Sequence, residues 1–298
     1  MDDPSPAARA FHAFEHAAWQ SRAAGYRDHF QSLVTQATEP LLDAAGVSAG
    51  SALLDVACGP GYGTAAAAVR GARATGLDFA PAMLTLARAR WPELPFIAAD
   101  AARMPFCDAS FDAVTIAFGM LHFAEPQRVL AEACRVLRPG GALAFTVWDS
   151  PGARNAAFKI MLDALAPYSP PSPPAQASAP ARAGASAQHD SPAQLPAGPP
   201  FFQYADPEVC RRALSAAGFE AASVTTRVLP LSWTLPAPDG LMRAFTEGTA
   251  RTGALILAQP PAQRRAIRDA VERACTPFQS GDRLVIPAAA ALTSARKP

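Results

Sequence analysis

At 298 residues, half of them hydrophobic, the chain has room for one large domain with an appendage or for two small ones. A formal net charge of +1 gives no general electrostatic attraction to nucleic acid or to an anionic membrane surface, and neither is expected as a partner. Five cysteines (Cys58, Cys107, Cys134, Cys210 and Cys275) are scattered, odd in number and never spaced as CxxC. They argue for reduced thiols in a cytoplasmic protein and against a disulfide framework or a zinc site. Met1-Asp2-Asp3-Pro4 offers neither a basic nor an apolar leader, and no uncharged apolar run is long enough to span a membrane.

Residues 8–45 mix aromatics and histidines with Ala, Leu and Val. They read as one or two helices, interrupted at Gly25 and stopped at Gly46. From Ser51 to Trp148, short apolar runs alternate with helical patterns. Strands are expected at 52–57, 73–78, 95–99, 111–118 and 142–148, and helices at 63–70, 81–90 and 126–137. In the last of these helices Pro126 takes the first position, and Val129, Leu130, Ala133, Val136 and Leu137 share one face. Pro139-Gly140-Gly141 ends it. Alternating units of this size imply a parallel sheet with helices on both faces and right-handed crossovers. Residues 169–200 are dominated by Pro, Ala and Ser, have little to bury, and read as a flexible loop. Beyond them, Asp206-Pro207-Glu208 opens a helix that stops at Gly218. A strand at 222–229, helices near 239–250 and 261–275, and a final strand near 283–293 complete the chain.

The segment Leu53-Leu54-Asp55-Val56-Ala57-Cys58-Gly59-Pro60-Gly61-Tyr62-Gly63 carries most of the functional information. A buried strand runs through an acidic residue into a glycine turn, and an alanine-rich helix starts at once. Glycines let the backbone approach a ligand, and a helix N-terminus presents free N–H groups beside it. A dinucleotide site wants GxGxxG, whereas the spacing here is Gly59-x-Gly61-x-Gly63, with Asp55 just upstream. A carboxylate there repels a pyrophosphate and suits a cofactor bearing ammonium and sulfonium charges, such as S-adenosyl-L-methionine. Asp78 closes the second strand 23 residues after Asp55, where it can accept from both ribose hydroxyls. Asp100, in Ala99-Asp100-Ala101, closes the third, where it can accept from an adenine amino group. Any one of these is equally a strand-end or turn residue; three at successive strand ends point to the carboxyl edge where open α/β sheets bind ligands.

Taken in order, these motifs resemble those of the class I S-adenosylmethionine-dependent methyltransferases. Ser110-Phe111-Asp112-Ala113-Val114 is similar to the family's fourth-strand signature, and Arg135-Val136-Leu137-Arg138-Pro139-Gly140-Gly141 to the turn before its fifth strand. The resemblance covers about a third of the chain, residues 51–148, and lies nearest the small-molecule enzymes around the ubiquinone/menaquinone C-methyltransferases. It implies an α/β fold: a doubly wound, seven-stranded, mostly parallel Rossmann-like sheet formed by residues 51–168 and 201–298. Residues 1–50 would cover it as N-terminal helices, and the C-terminal part would add helices on the substrate side. It also implies a cofactor site drawn from Asp55, Ala57, Gly59, Gly61, Asp78, Phe79, Met83, Asp100, Ala101 and Phe118, with Tyr26 of the cover at the cofactor's carboxylate end. Phe79 and Met83 flank the adenine in that reading and are ordinary packing residues in the plainer one.

Where the relatives have a Phe-Gly-Leu-Arg-Asn-like sequence, this chain has Phe118-Gly119-Met120-Leu121-His122. That departure speaks against a quinone precursor and leaves His122 as a candidate base, or as a residue that only shapes the loop. Phe201, Phe202, Tyr204, Trp233 and Phe245 are candidates for lining an acceptor pocket, and the histidine spacing makes no metal triad. The leading expectation is an enzyme that methylates a small-molecule acceptor. The alternatives are methylation of RNA or protein, a non-catalytic cofactor-binding regulator, and an NAD(P)-dependent dehydrogenase. The acceptor, the atom methylated and the oligomeric state are not legible in the sequence.

Overall fold

The computed structural model describes residues 3–168 and 195–298. The first helix, α1, runs from Pro6 to Val34 and is capped by the Ser5 side chain, which accepts from the Ala8 N–H. A short α2 (Thr38–Ala44) leads into β1 (Ala52–Val56), α3 (Tyr62–Val69), β2 (Arg73–Asp78), α4 (Pro81–Arg90) and β3 (Phe96–Ala98). Then come β4 (Phe111–Ala117), α5 (Pro126–Val136), β5 (Leu137–Trp148) and α6 (Ala156–Leu165). After the Pro-rich stretch the chain forms α7 (Pro207–Ala216), β6 (Thr225–Pro236), α8 (Gly240–Gly248), α9 (Arg251–Ala258) and α10 (Pro261–Cys275). A two-residue β7 (Gln279–Ser280) and the long β8 (Arg283–Arg296) end it.

One sheet carries all the strands, in the order β3-β2-β1-β4-β5-β8-β6, with β7 paired to β8 off that path. The sheet therefore has eight strands rather than the expected seven. The extra one is a turn back at Gly281 that pairs Gln279 with Leu284 and Ser280 with Arg283. Strands β1 to β5 are mutually parallel, while β8 lies antiparallel to both β5 and β6. The order reverses between β1 and β4, and the crevice outside their carboxyl ends is where a doubly wound sheet receives a ligand.

Strand β1 is buried along its whole length because helices cover both faces. Leu53 and Ala113 face a core shared with Phe30 of α1, Phe158 of α6, Trp233 of β6 and Phe245 of α8. Leu54, Val56 and Val114 face the other core, filled by Val129, Leu130 and Ala133 of α5 and Leu214 of α7.

Gly25 does not interrupt the first helix, which passes through it without a break. Its role is tertiary: a Cβ there would collide with the Glu247 carbonyl of α8. Opposite it, a Cβ on Gly248 would lie 3.0 Å from the Phe30 ring and 3.1 Å from the Gly25 carbonyl. The two glycines let α1 and α8 cross at backbone contact. Helices α6 and α9 were not anticipated, and β6 and β8 run longer than the spans read from the sequence. Most of the expected loop 169–200 lies outside the described residues; 195–200 form neither helix nor strand. Among the described residues no helix is long and apolar enough to cross a membrane.

Candidate cofactor and acceptor site

The glycine turn is held from below. The Asp55 side chain is buried, its Oδ2 accepting from the Thr64 hydroxyl at 2.8 Å and its Oδ1 from the Thr115 hydroxyl at 3.1 Å. Burial pushes its carboxyl up to about 6, against the help of those two donors. A Cβ at Gly63 would sit 2.8 Å from Asp55 Oδ2, so glycine is what leaves room for the carboxylate under the first turn of α3. Gly61, at φ +81°, packs against Phe96, 2.8 Å from where its Cβ would be. Neither residue lines the cavity above. Asp55 and Gly61, expected at the cofactor, thus sit beneath the cavity, and the Thr64 and Thr115 hydroxyls hold the carboxylate inward, where it fixes the turn.

Above the turn, at the carboxyl ends of β1, β2 and β4, lies a cavity of about 420 Å³. Ala57, Gly59, Asp78, Phe79, Met83 and Asp100 line its sheet side, and Ala101, Phe118, His122 and Tyr26 its remaining walls. Asp78 is 5 % exposed; its Oδ2 accepts from the Gly59 N–H and its Oδ1 from the Ala80 N–H, both at 2.9 Å. Burial raises its pKa from the ordinary carboxylate value, opposed by these backbone donors. One carboxylate thus ties the glycine turn to the end of β2 while facing the cavity. Asp100 is more open: its Oδ1 accepts from the Ala102 N–H at 2.8 Å, and His12 Nδ1 stands 3.9 Å from Oδ2. His12 and His16 both meet the Phe79 ring edge-on.

Two residues other than glycine hold positive φ at this edge, Ala57 and Phe118, each at 55°. Such backbone is costly and persists where surrounding contacts enforce it. Phe118 donates its N–H to the Thr146 carbonyl at 3.0 Å and stacks on Trp148 with centroids 4.1 Å apart. Gly119 follows because a Cβ there would lie 2.8 Å from both the Ala57 Cβ and Ile116. His122 then sits in a single helical turn, Met120–His122, that projects over the cavity.

The first helix roofs the site. Tyr26 stacks on Phe30, and burial raises its hydroxyl pKa above the ordinary value. The sequence reading missed Glu15. It is 0 % exposed, and its Oε2 accepts from Trp19 Nε1 at 3.1 Å and lies 2.9 Å from His122 Nδ1. A signal was present: Glu15 stands four residues from both Phe11 and Trp19, on the inward face of an amphipathic helix. Arg251, at the start of α9, also lines the cavity, its guanidinium over the Phe11 ring. Of the aromatic candidates, Phe201 and Phe245 reach the cavity. Phe202 packs on Phe158, Tyr204 on Phe145, and Trp233 on Phe30.

Residues 54–145 match a family model described as a methyltransferase domain. A demethylmenaquinone methyltransferase of Renibacterium salmoninarum is 43 % identical over 111 residues, which is 37 % of this chain and 47 % of that protein. One from Thermus thermophilus is 43 % identical over 104 residues, 33 % of this chain and 47 % of that protein. The chain thus spans about half the length of the curated relatives it matches. Among solved structures, the phosphoethanolamine N-methyltransferase 2 of Haemonchus contortus, in complex with S-adenosyl-L-methionine, superposes with a TM-score of 0.54 at 17 % identity. The match covers 97 % of this chain and 60 % of that one. The cyclase SpnF superposes with a TM-score of 0.52 at 18 % identity over 100 % of this chain and 99 % of its own. These two establish the fold alone. The sheet order and the crevice agree with the matched segment: residues 54–145 match a methyltransferase domain.

Proposed function

We propose that the chain transfers a methyl group from S-adenosylmethionine to a small-molecule acceptor. The observation that carries this reading is Asp78, a buried carboxylate at the end of β2 that faces the cavity and braces the glycine turn. Its donor set fits the cofactor: each oxygen keeps acceptor capacity beyond its one backbone N–H, enough for two ribose hydroxyls. Phe79 and Met83 offer apolar surface to the adenine, with Asp100 and the Ala101 backbone at its amino edge. The main chain of Ala57 and Gly59, with Phe118 and Tyr26, encloses the methionine end. When bound, the sulfonium supplies a methyl carbon already activated for in-line displacement, so alignment and exclusion of water account for much of the rate. Helix α1 and the aromatic side chains beneath it provide that exclusion. His122 lines the same cavity as Phe118, which supports giving it the acceptor's proton to handle.

The matched relatives support a small molecule as acceptor, and the near-neutral charge gives no footing for nucleic acid. Leu121 and His122 in place of the Arg and Asn of the C-methyltransferase signature speak against a quinone precursor. The free cysteines fit a reducing cytoplasmic setting. The test is transfer of labelled methyl from S-adenosylmethionine across a panel of small acceptors, with NADH binding as the control. Label in a small product supports the reading. Tight NADH binding with no affinity for S-adenosylhomocysteine overturns it.

A further inference from the structure

We infer that Glu15 is a positioning residue for His122, and that the pair selects an acceptor methylated on a weakly acidic hydroxyl, phenolic or enolic, carried by a flat apolar ring. This rests on the reading above. Two histidines line the cavity, His12 and His122, and their settings differ. The His12 side chain is 41 % exposed and stands against Phe79 and Asp100, at the end assigned to adenine. His122 has behind it a carboxylate with no exposure at all, which does not itself line the cavity. Glu15 Oε2 already accepts from the Trp19 indole, a group that only donates, and an ionised carboxylate only accepts. His122 Nδ1 therefore carries a proton and donates it to Oε2, which leaves the lone pair on Nε2. Trp19 also stands edge-on to the imidazole with centroids 4.8 Å apart, so the ring is held by a hydrogen bond and by a wall. Glu15 Oε1, buried, has no hydrogen-bond partner among the described residues. Such an atom is costly to keep; the Glu15 charge, which the Arg251 guanidinium also feels, serves here to stabilise an imidazolium that forms at His122.

The need for a base narrows the acceptor. A neutral amine attacks with its own lone pair and loses a proton afterwards without help. An aliphatic hydroxyl gives its proton to an imidazole far less readily than a phenol or enol does. A phenol or enol, of pKa about 10, is acidic enough to pass its proton to an imidazole as it attacks. Trp19 stands beside His122, and Trp148, Phe158, Phe201 and Phe245 line the same cavity, so its walls suit a flat ring. In the step, the O–H bond breaks and its proton passes to His122 Nε2. The freed oxygen pair forms the O–CH3 bond as the sulfonium S–CH3 bond breaks, and the S–C bonding pair stays on sulfur, which becomes neutral. The imidazolium then returns its proton to water.

The test has two arms. In the unmutated protein, nitrogen-15 NMR at about pH 8 is expected to show His122 protonated on Nδ1, with a pyridine-like Nε2; the opposite tautomer overturns the assignment. In kinetics, Glu15→Gln keeps an acceptor for both donors but removes the charge, and is expected to lower kcat about 10- to 100-fold. S-adenosylhomocysteine affinity should stay within about twofold of the unmutated protein's, showing that the cofactor reading stands independently. Glu15→Gln added to His122→Ala should cost no more than His122→Ala alone. Additive losses mean that Glu15 only supports the fold and overturn its positioning role. Retained cofactor affinity with methyl found on nitrogen or carbon, or on no phenol or enol tried, overturns the acceptor class while leaving the cofactor site intact.

Discussion

Asp55 carries the key acid of the glycine motif without facing the cavity. Its folded carboxyl, pushed up to about 6 from an ordinary 3.8, holds a proton more tightly than the unfolded chain does. The group's contribution is fully present below about pH 4 and is lost as pH rises through 6, a difference of roughly 3 kcal/mol. Asp55→Asn cannot ionise and can still meet the Thr64 and Thr115 hydroxyls, which rotate to accept as readily as to donate. Urea unfolding at about pH 4.5 and about pH 7.5 is therefore expected to favour the variant more at the higher pH, by roughly 2–3 kcal/mol. Identical pH dependence in the two proteins would mean that the carboxylate is as well solvated folded as unfolded. The acid and the three glycines were legible as a cofactor turn. Their division of labour was not, because spacing alone does not tell which way a side chain at a strand end is turned. Glu15 escaped for a related reason: a charged residue on an apolar helix face has a meaning only once its partner, 107 residues away, is known.

At the scale of elements, the packing of α1 on α8 decides whether the site has a roof. Gly25 reads as a helix breaker by propensity, yet the helix runs through it because α8 comes too close for any side chain. His29 Nε2 reinforces the crossing at 2.6 Å from a Glu247 carboxylate oxygen. Gly25→Ala sets two effects against each other: helix propensity gains about 1 kcal/mol, and the collision with the Glu247 backbone costs about 1–3 kcal/mol or more. Backbone cannot swing aside as a side chain can, so a net loss of stability with weakened cofactor binding is expected in thermal melting and calorimetry. A more stable variant would show that the two helices do not cross there. Helix α9 was missed on the same grounds. The α9 sequence, Arg251-Thr252-Gly253-Ala254-Leu255-Ile256-Leu257-Ala258, is too short for a period to show and contains a glycine that a contact explains. A Cβ on Gly253 would lie 2.7 Å from both Arg22 Nη1 and the Thr246 carbonyl.

For the whole molecule, the strand order and the crevice it creates follow from short apolar runs closed by acidic or glycine-rich turns, which the sequence displays openly between Ser51 and Trp148. The rest of the cavity wall draws on α1, α6, α8 and α9, whose residues meet only through long-range packing, and no local pattern announces it. The central claim is that this crevice holds S-adenosylmethionine with Asp78 as its anchor. Isothermal titration calorimetry with S-adenosylhomocysteine, on the unmutated protein and on Asp78→Ala, tests it most directly. One site per chain is expected, weakened by about 1–3 kcal/mol in the variant, or about 5- to 150-fold in Kd. Absence of binding to the unmutated protein, or equal affinity in the two, would contradict the account.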